Sequence, residues 1–268
     1  MITSNPTPDQ ELNGVLRELV TSAQAILGDN FVAAYLQGSF AVGDWDVDSD
    51  VDWVIAIERD ISDTELPALQ TMHARLYRLD AHWAQHLEGS YIPRAILRRR
   101  GPERHQLLFL NNTDDTLERS DHDDTAIVRW VTREYGIALA GPPPATLIEP
   151  VSADELRREA LSTMRDWADA IHAGQYRMDN RWAQPFVTLS YCRMLHTLQT
   201  GRVASKLASA QWASQALASQ WAPLIQRAWD ERPNPSLKVR QPADQQVQQA
   251  TLAFIQYALA LSGQRTEP

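Results

Sequence analysis

Residues 36–55 read LQGSFAVGDWDVDSDVDWVI: aspartate stands at every second position from Asp44 to Asp52, and the run passes without a break into an apolar stretch. A short apolar run of this kind reads as a buried strand, so the fold must accommodate a core strand that begins in carboxylates. Alternate strand residues point to the same face, which sets Asp50 and Asp52 side by side about 6.6 Å apart while Val51 and Trp53 face the other way. Left unpaired at a sheet surface, two such carboxylates repel and resist ionising. The sheet therefore has to meet a positive charge at this point.

The rest of the chain supplies a sheet for that strand and then changes character. A first helix is expected over SNPTPDQELNGVLRELVTSAQAILGDN, from its Pro and Asp start signals to Gly28, followed by a strand FVAAYLQ and a tight turn at Gly38-Ser39. After the strand DVDWVIAI come a long helix over TELPALQTMHARLYRLDAHWAQ, a strand HLEGSYI, a strand HQLLFLNN, a helix from about Asp123 to Tyr135, and the short apolar GIALAG. Pro142 to Pro144 then mark a domain boundary. Beyond them the apolar residues recur with helical spacing in four long segments with little that favours strands. The expected fold is α+β: a mixed-sheet domain over residues 1–150 and an all-helical bundle over 151–268.

Composition narrows the partners. With 268 residues, 44% hydrophobic residues and nine tryptophans, the chain can bury a substantial core. A formal net charge of −9 gives no global attraction for nucleic acid. Cys192 is the one cysteine, so no disulfide framework forms within the chain; the thiol reads as core and the compartment as reducing. No uninterrupted apolar segment reaches the roughly 18 residues of a membrane span, and the N-terminus lacks the pattern of a signal peptide, so a cytoplasmic protein without membrane or nucleic-acid partners is expected.

Three readings compete for the acid run. A solvated loop is the usual fate of clustered charge. A calcium loop of the EF-hand type needs Gly at its sixth position and a carboxylate at its twelfth; counting from Asp44 these are Ser49 and Ile55, and from Asp46 they are Val51 and Ile57, so that reading fails. The third makes Asp50 and Asp52 a hard-oxygen ligand pair for one or two Mg²⁺ ions, with Gly38-Ser39 ahead of them as a turn that lets backbone approach a phosphate. Gly-Ser, ten residues, then Asp-Val-Asp opening an apolar strand resembles the signature of the polymerase-beta-like nucleotidyltransferases. The resemblance implies that Gly38 and Ser39 hold a nucleotide triphosphate and that Asp50 and Asp52 hold Mg²⁺, with Asp44, Asp46 and Asp48 left as solvated loop residues.

Such chemistry also needs a group to deprotonate the attacking hydroxyl, or a third carboxylate to complete the metal site. Glu88 is the candidate, because a glutamate in a short apolar strand must be exposed at an edge, paired or functional. In the subgroup that modifies aminoglycosides a glutamate on the strand after the paired aspartates is the general base, which is what the resemblance implies for Glu88. VTLSYCRMLHTLQTGRVASKLASAQWA is similar to the helical domain of the adenylyltransferases that modify streptomycin and spectinomycin. There an arginine and a lysine bind the ATP phosphates, and the matching positions are Arg193, eight before Gly201, and Lys206, five after it. Read alone, Arg193 would be a salt-bridged or snorkelling helix residue and Lys206 a surface lysine at a helix start.

The acceptor side departs from that pattern. The acidic position falls on Ala183, with Asp179 only nearby, and no tryptophan stands between Trp83 and Trp130. Asp179 reads as a helix cap, as do Ser120 or Asp121 at the head of SDHDD. His122 beside Asp123 is too little for a metal site. Arg94, Arg98, Arg99, Arg100 and Arg104 read as a solvated connection between strands. Together these readings predict an Mg²⁺-dependent adenylyltransferase, a monomer, moving AMP from ATP to a hydroxyl of a small aminoglycoside or aminocyclitol across an interdomain cleft, and so an antibiotic-resistance enzyme. Non-catalytic alternatives are a nucleotide sensor or an antitoxin-like partner; a further one is an enzyme that adenylylates a protein.

Overall fold

The computed structural model describes residues 5–99, 101 and 103–263, and the chain divides into two compact units, one ending at Val151 and one beginning at Ser152. Arg100 lies outside the described residues. In the first unit Asp9 accepts from the Leu12 N–H at 2.9 Å and so starts α1 (Gln10–Leu27), whose Leu12, Leu16, Leu19 and Val20 form a buried stripe. Then follow β1 (Phe31–Leu36), α2 (Gly38–Val42), β2 (Val51–Ile57), α3 (Leu66–Tyr77), β3 (Leu87–Pro93), α4 (Arg94–Arg98), β4 (Leu107–Leu110), β5 (Leu117–Ser120), α5 (Ala126–Tyr135), β6 (Ile137–Ala140) and α6 (Pro144–Leu147).

The strands form one sheet in the order β5-β4-β3-β2-β1-β6, parallel between β2 and β3 and antiparallel elsewhere. Two adjacent parallel strands need a crossover, and α3 supplies it. On one face Trp53, Ile55 and Ile57 of β2 pack with α1 and α3; on the other Val54 and Ala56 join Ala33, Tyr35, Ile92 and Leu107. β2 is thus covered on both sides, as its near-continuous apolar sequence requires.

Several expected boundaries shift for identifiable reasons. The long helix predicted to run to Gln85 ends at Tyr77, and His82–Gln85 forms a separate 3₁₀ turn. Trp83 in that turn is buried, donates from Nε1 to Asp9 Oδ2 at 3.0 Å, and packs edge-on against Phe40 and Trp45. Docking the indole outweighs continuing the helix. Of the three prolines, Pro144 opens α6 with Pro143 at its cap, in keeping with proline's tolerance of a first helical turn. β5 goes unpredicted because Leu117 is its one buried residue of four.

The second unit is helical: α7 (Ala153–His172), α8 (Ala183–Thr200), α9 (Lys206–Ala216), α10 (Ala222–Glu231), α11 (Pro235–Lys238) and α12 (Gln245–Gly263). Ser152 and Glu155 form a reciprocal capping box at the start of α7. Helix α8 is central, packed by α7, α9, α10 and α12, and buries Val187, Tyr191, Cys192 and Leu195. Cys192 is core, as its sequence context predicts, and burial pushes its thiol up to about 12. Among the described residues no helix is long and apolar enough to cross a membrane.

Candidate active site

The parallel register of β2 and β3 sets Asp52 opposite Glu88 and Val54 opposite Ser90. Same-face residues repeat every second position, so Asp52 extends the row of Val54 and Ala56, and Glu88 extends the row of Ser90 and Ile92. Val54, Ala56 and Ile92 belong to the apolar cluster under that face. The two acids stand just beyond its end, partly exposed, at the start of both strands. Asp50 lies one residue before β2 rather than within it, and Asn112, beyond β4, donates its amide N–H to Asp50 Oδ1. Asn112 Oδ1 in turn lies 3.2 Å from His86 Nδ1. Burial and the neighbouring His82 ring hold the His86 imidazole below its ordinary range, against the opposing pull of Asn112 and Asp48.

Gly38 closes against these acids. Its φ is +63°, and a Cβ built on it would stand 1.9 Å from Asp52 Oδ2. The preceding Gln37 N–H donates to the Asp52 carbonyl at 2.8 Å, so the head of α2 is fixed to β2 through that residue. Only glycine meets both demands. Gly38→Ala is expected to lower stability by about 1–2 kcal/mol from the left-handed backbone alone and to turn the Asp52 carboxylate aside. Denaturant unfolding with an unchanged midpoint would show that the turn is not tied to Asp52.

The remaining acids of the run behave as loop residues. Asp46 turns its carboxylate onto its own loop, accepting from the Asp48 N–H at 3.1 Å and the Ser49 hydroxyl at 3.3 Å. The arginine-rich connection is neutralised locally: Arg94 pairs with Glu58 at 2.9 Å, Arg98 with Glu149 at 3.0 Å and Arg104 with Asp121 at 3.1 Å.

The segment before α5 brings a group that the sequence reading passed over. His122 Nε2 lies 3.5 Å from Glu88 Oε1, and its ring packs on Phe109 with centroids 5.0 Å apart. Its contact with Glu88, reinforced by Asp123 and Asp52 and opposed by burial, pushes the imidazole up to about 9. The side chain remains 60% exposed, so solvent screens part of this attraction. Burial raises the neighbouring Asp123 carboxyl to about 6, although the Ser90 hydroxyl donates to it at 2.7 Å. Helix α5 is capped by Thr125, which accepts from the Val128 N–H at 3.0 Å, not by Ser120 or Asp121.

In the second unit Arg193, half-buried on α8, donates from Nε to the Ala204 carbonyl at 3.4 Å. That carbonyl lies two residues before Lys206, the first residue of α9, which Ser205 caps. Gly201 ends α8 in the left-handed conformation at φ +67° and lets the chain turn back sharply enough for Arg193 to meet Ala204. Both predicted cations therefore belong to one helix-turn-helix corner. Asp179 is not the cap of α8. It pairs with Arg177, while Asn180 Oδ1 accepts from the N–H groups of Trp182 and Ala183 at 3.1 and 2.9 Å.

Comparison with known proteins bears on both units. The fold matches the crystal structure of spectinomycin adenyltransferase AAD(9) from Enterococcus faecialis, solved with ATP and spectinomycin, with a TM-score of 0.67 over 92% of this chain and 98% of that one. Sequence identity is 13%, so this likeness concerns the fold alone. No curated protein matches the chain by sequence. The model of the aminoglycoside adenylyltransferase C-terminal domain matches residues 146–258. The helical second part of the chain is thus similar to the C-terminal domain of the aminoglycoside adenylyltransferases.

The chain is built as α+β with a helical second part, as its sequence leads one to expect. Two of its site-forming residues escaped the sequence reading. Asn112 sits in a polar turn with nothing to distinguish it from Asn111, and it is found only through its bond to Asp50. His122 stands among acids in sequence, and its pairing with Glu88 depends on the path of the chain between β5 and α5.

Proposed function

We propose that the protein transfers AMP from ATP, taken as its Mg²⁺ complex, to a hydroxyl of an aminoglycoside or aminocyclitol. The observation that carries this reading is the register of Asp52 opposite Glu88, with Gly38 packed on the Asp52 carboxylate. Among the described residues no group of three or more His, Cys, Asp or Glu side chains is arranged to hold a metal ion. A pair of carboxylates still fits Mg²⁺, which commonly takes one or two protein carboxylates and fills its shell with water and substrate phosphate. Asp50 and Asp52 would hold it, and once bound it would neutralise charge on the phosphates as pyrophosphate leaves.

The chain's own groups supply the rest. Glu88 accepts the proton of the acceptor hydroxyl as that oxygen bonds to the α-phosphorus, and the bond from the α-phosphorus to pyrophosphate breaks. Gly38 and Ser39 bind phosphate through the turn, and Arg193 and Lys206 add the cations that orient the triphosphate. Positioning and charge stabilisation provide most of the rate in such a transfer. A net charge of −9 suits a cationic acceptor. The resemblance of both parts of the chain to spectinomycin- and streptomycin-modifying enzymes makes those two compounds the first to try, and the altered acceptor positions at Ala183 and between Trp83 and Trp130 make a wider panel necessary.

The test is incubation with ATP, Mg²⁺ and a panel of aminoglycosides and aminocyclitols, with products weighed by mass spectrometry. An AMP adduct on at least one compound is expected. No adduct on any compound, with ATP binding that survives Asp50→Asn, would instead indicate a nucleotide-binding protein without transfer activity; mass gain on a polypeptide would indicate a protein adenylyltransferase. Binding can be read separately. ATP with Mg²⁺ should raise the melting temperature, since a ligand at a hundred times its Kd adds about 2.7 kcal/mol to stability. A flat response would remove the nucleotide site.

A further inference from the structure

We infer that His122 is a positioning residue for Glu88, holding the glutamate carboxylate at the end of β3 in the orientation needed to take the acceptor's proton. The inference rests on the reading of Glu88 as the base. It stands on how the segment between β5 and α5 is tied down. Ser90, two residues beyond Glu88 and on the same face of β3, donates to Asp123 Oδ2 at 2.7 Å. The His105 backbone N–H donates to Asp124 Oδ2 at 2.7 Å, and the Asp124 N–H donates to the Asp121 carbonyl at 3.1 Å. Asp123 and Asp124 are both buried, so their carboxylates act as fixed pegs, one held at Ser90 on β3 and the other at His105 just before β4.

His122 immediately precedes these two pegs, and its own N–H donates to the Ser120 hydroxyl at 3.2 Å. Its ring lies on Phe109, which is the register partner of Ser90 across β3 and β4. Strand geometry puts Glu88, Ser90 and Phe109 on one face, so a ring resting on Phe109 is brought to the Glu88 carboxylate by the sheet itself. The contact at 3.5 Å leaves the second carboxylate oxygen of Glu88 for a substrate hydroxyl. Asp52 lies opposite Glu88 on β2, while the His122 ring rests on Phe109 of β4, so the ring holds the Glu88 carboxylate from the side away from β2. The groups facing His122 are Glu88, Asp52 and Asp123, all acids, which favours the charged imidazole at neutral pH.

Two measurements on the full chain test this. The first needs neither nucleotide nor acceptor: the His122 imidazole resonances, assigned by their loss in His122→Gln, are titrated by NMR in the unaltered protein and in Glu88→Gln. The midpoint should fall towards the ordinary histidine range in Glu88→Gln; an unchanged midpoint overturns the pairing. The second follows AMP transfer to spectinomycin and streptomycin. His122→Gln should lower kcat by up to roughly a hundredfold, the scale of a misplaced catalytic group, with KM for ATP unchanged, and His122→Lys should recover part of the loss. Unchanged kcat in His122→Gln, or equal loss in the Lys and Gln variants, overturns the positioning role. If the NMR result holds but the unaltered protein transfers AMP to no compound of the aminoglycoside and aminocyclitol panel, the proposed function fails and the positioning role falls with it, while the ion pair stands.

Discussion

Asp52→Asn should lower kcat/KM for AMP transfer roughly a thousandfold, corresponding to about 4 kcal/mol of lost charge stabilisation at the phosphates. The substitution is nearly isosteric, so the packing of Gly38 on this side chain and the backbone bond from Gln37 to the Asp52 carbonyl both survive. Stability should therefore stay within about 0.5 kcal/mol of the unaltered protein, as for near-isosteric substitutions that open no cavity. The variant should lose the rise in melting temperature produced by ATP with Mg²⁺. Transfer activity within tenfold of the original would show that Asp52 is not a metal ligand.

Glu88→Gln should reduce kcat by about 10²–10⁴-fold, the usual contribution of a positioned general base, and leave the ATP-dependent rise in melting temperature in place. The amide keeps the shape of the carboxylate but cannot accept the hydroxyl proton. The two variants thus separate along one axis: Asp52→Asn loses nucleotide-dependent stabilisation and transfer together, and Glu88→Gln loses transfer alone. Full turnover by Glu88→Gln would assign the proton to another group and leave His122 paired to a spectator.

The two sheet acids and their neighbours show where sequence patterning suffices and where it does not. Asp52 is legible because two local rules coincide on it: an apolar strand begins there, and a Gly-Ser turn stands ten residues before the acid pair. Glu88 is legible as an anomaly, a carboxylate in an apolar run. That the two face each other is not legible, because it depends on which strand lies beside β2 and in which direction, and α3 intervenes between them. A one-residue slip of that register would send Glu88 to the opposite face.

Caps show the same division at smaller scale. Ser120, Asp121, Asp123, Asp124 and Thr125 are all residue types that cap helices, so composition alone does not choose among them. Tertiary partners choose. Asp123 is engaged by Ser90 and Asp124 by His105, which leaves Thr125 to satisfy the first turn of α5. At the head of α8 both Asp179 and Asn180 are available; Arg177 takes the aspartate, and Asn180 accepts from the Trp182 and Ala183 N–H groups.

What the sequence by itself determined is which side chains stand where along the chain: carboxylates at Asp50 and Asp52 at the mouth of a buried strand, a glycine turn ahead of them, and a helical second part carrying Arg193 and Lys206. These follow from residue type and short-range periodicity, which act over a few residues of chain. The tertiary structure alone decided that Glu88 stands across from Asp52, that Asn112 reaches Asp50 and that His122 reaches Glu88. Those contacts join segments 34 or more residues apart, as in the 62-residue separation of Asn112 from Asp50, and come from strand order and register, which no local pattern encodes.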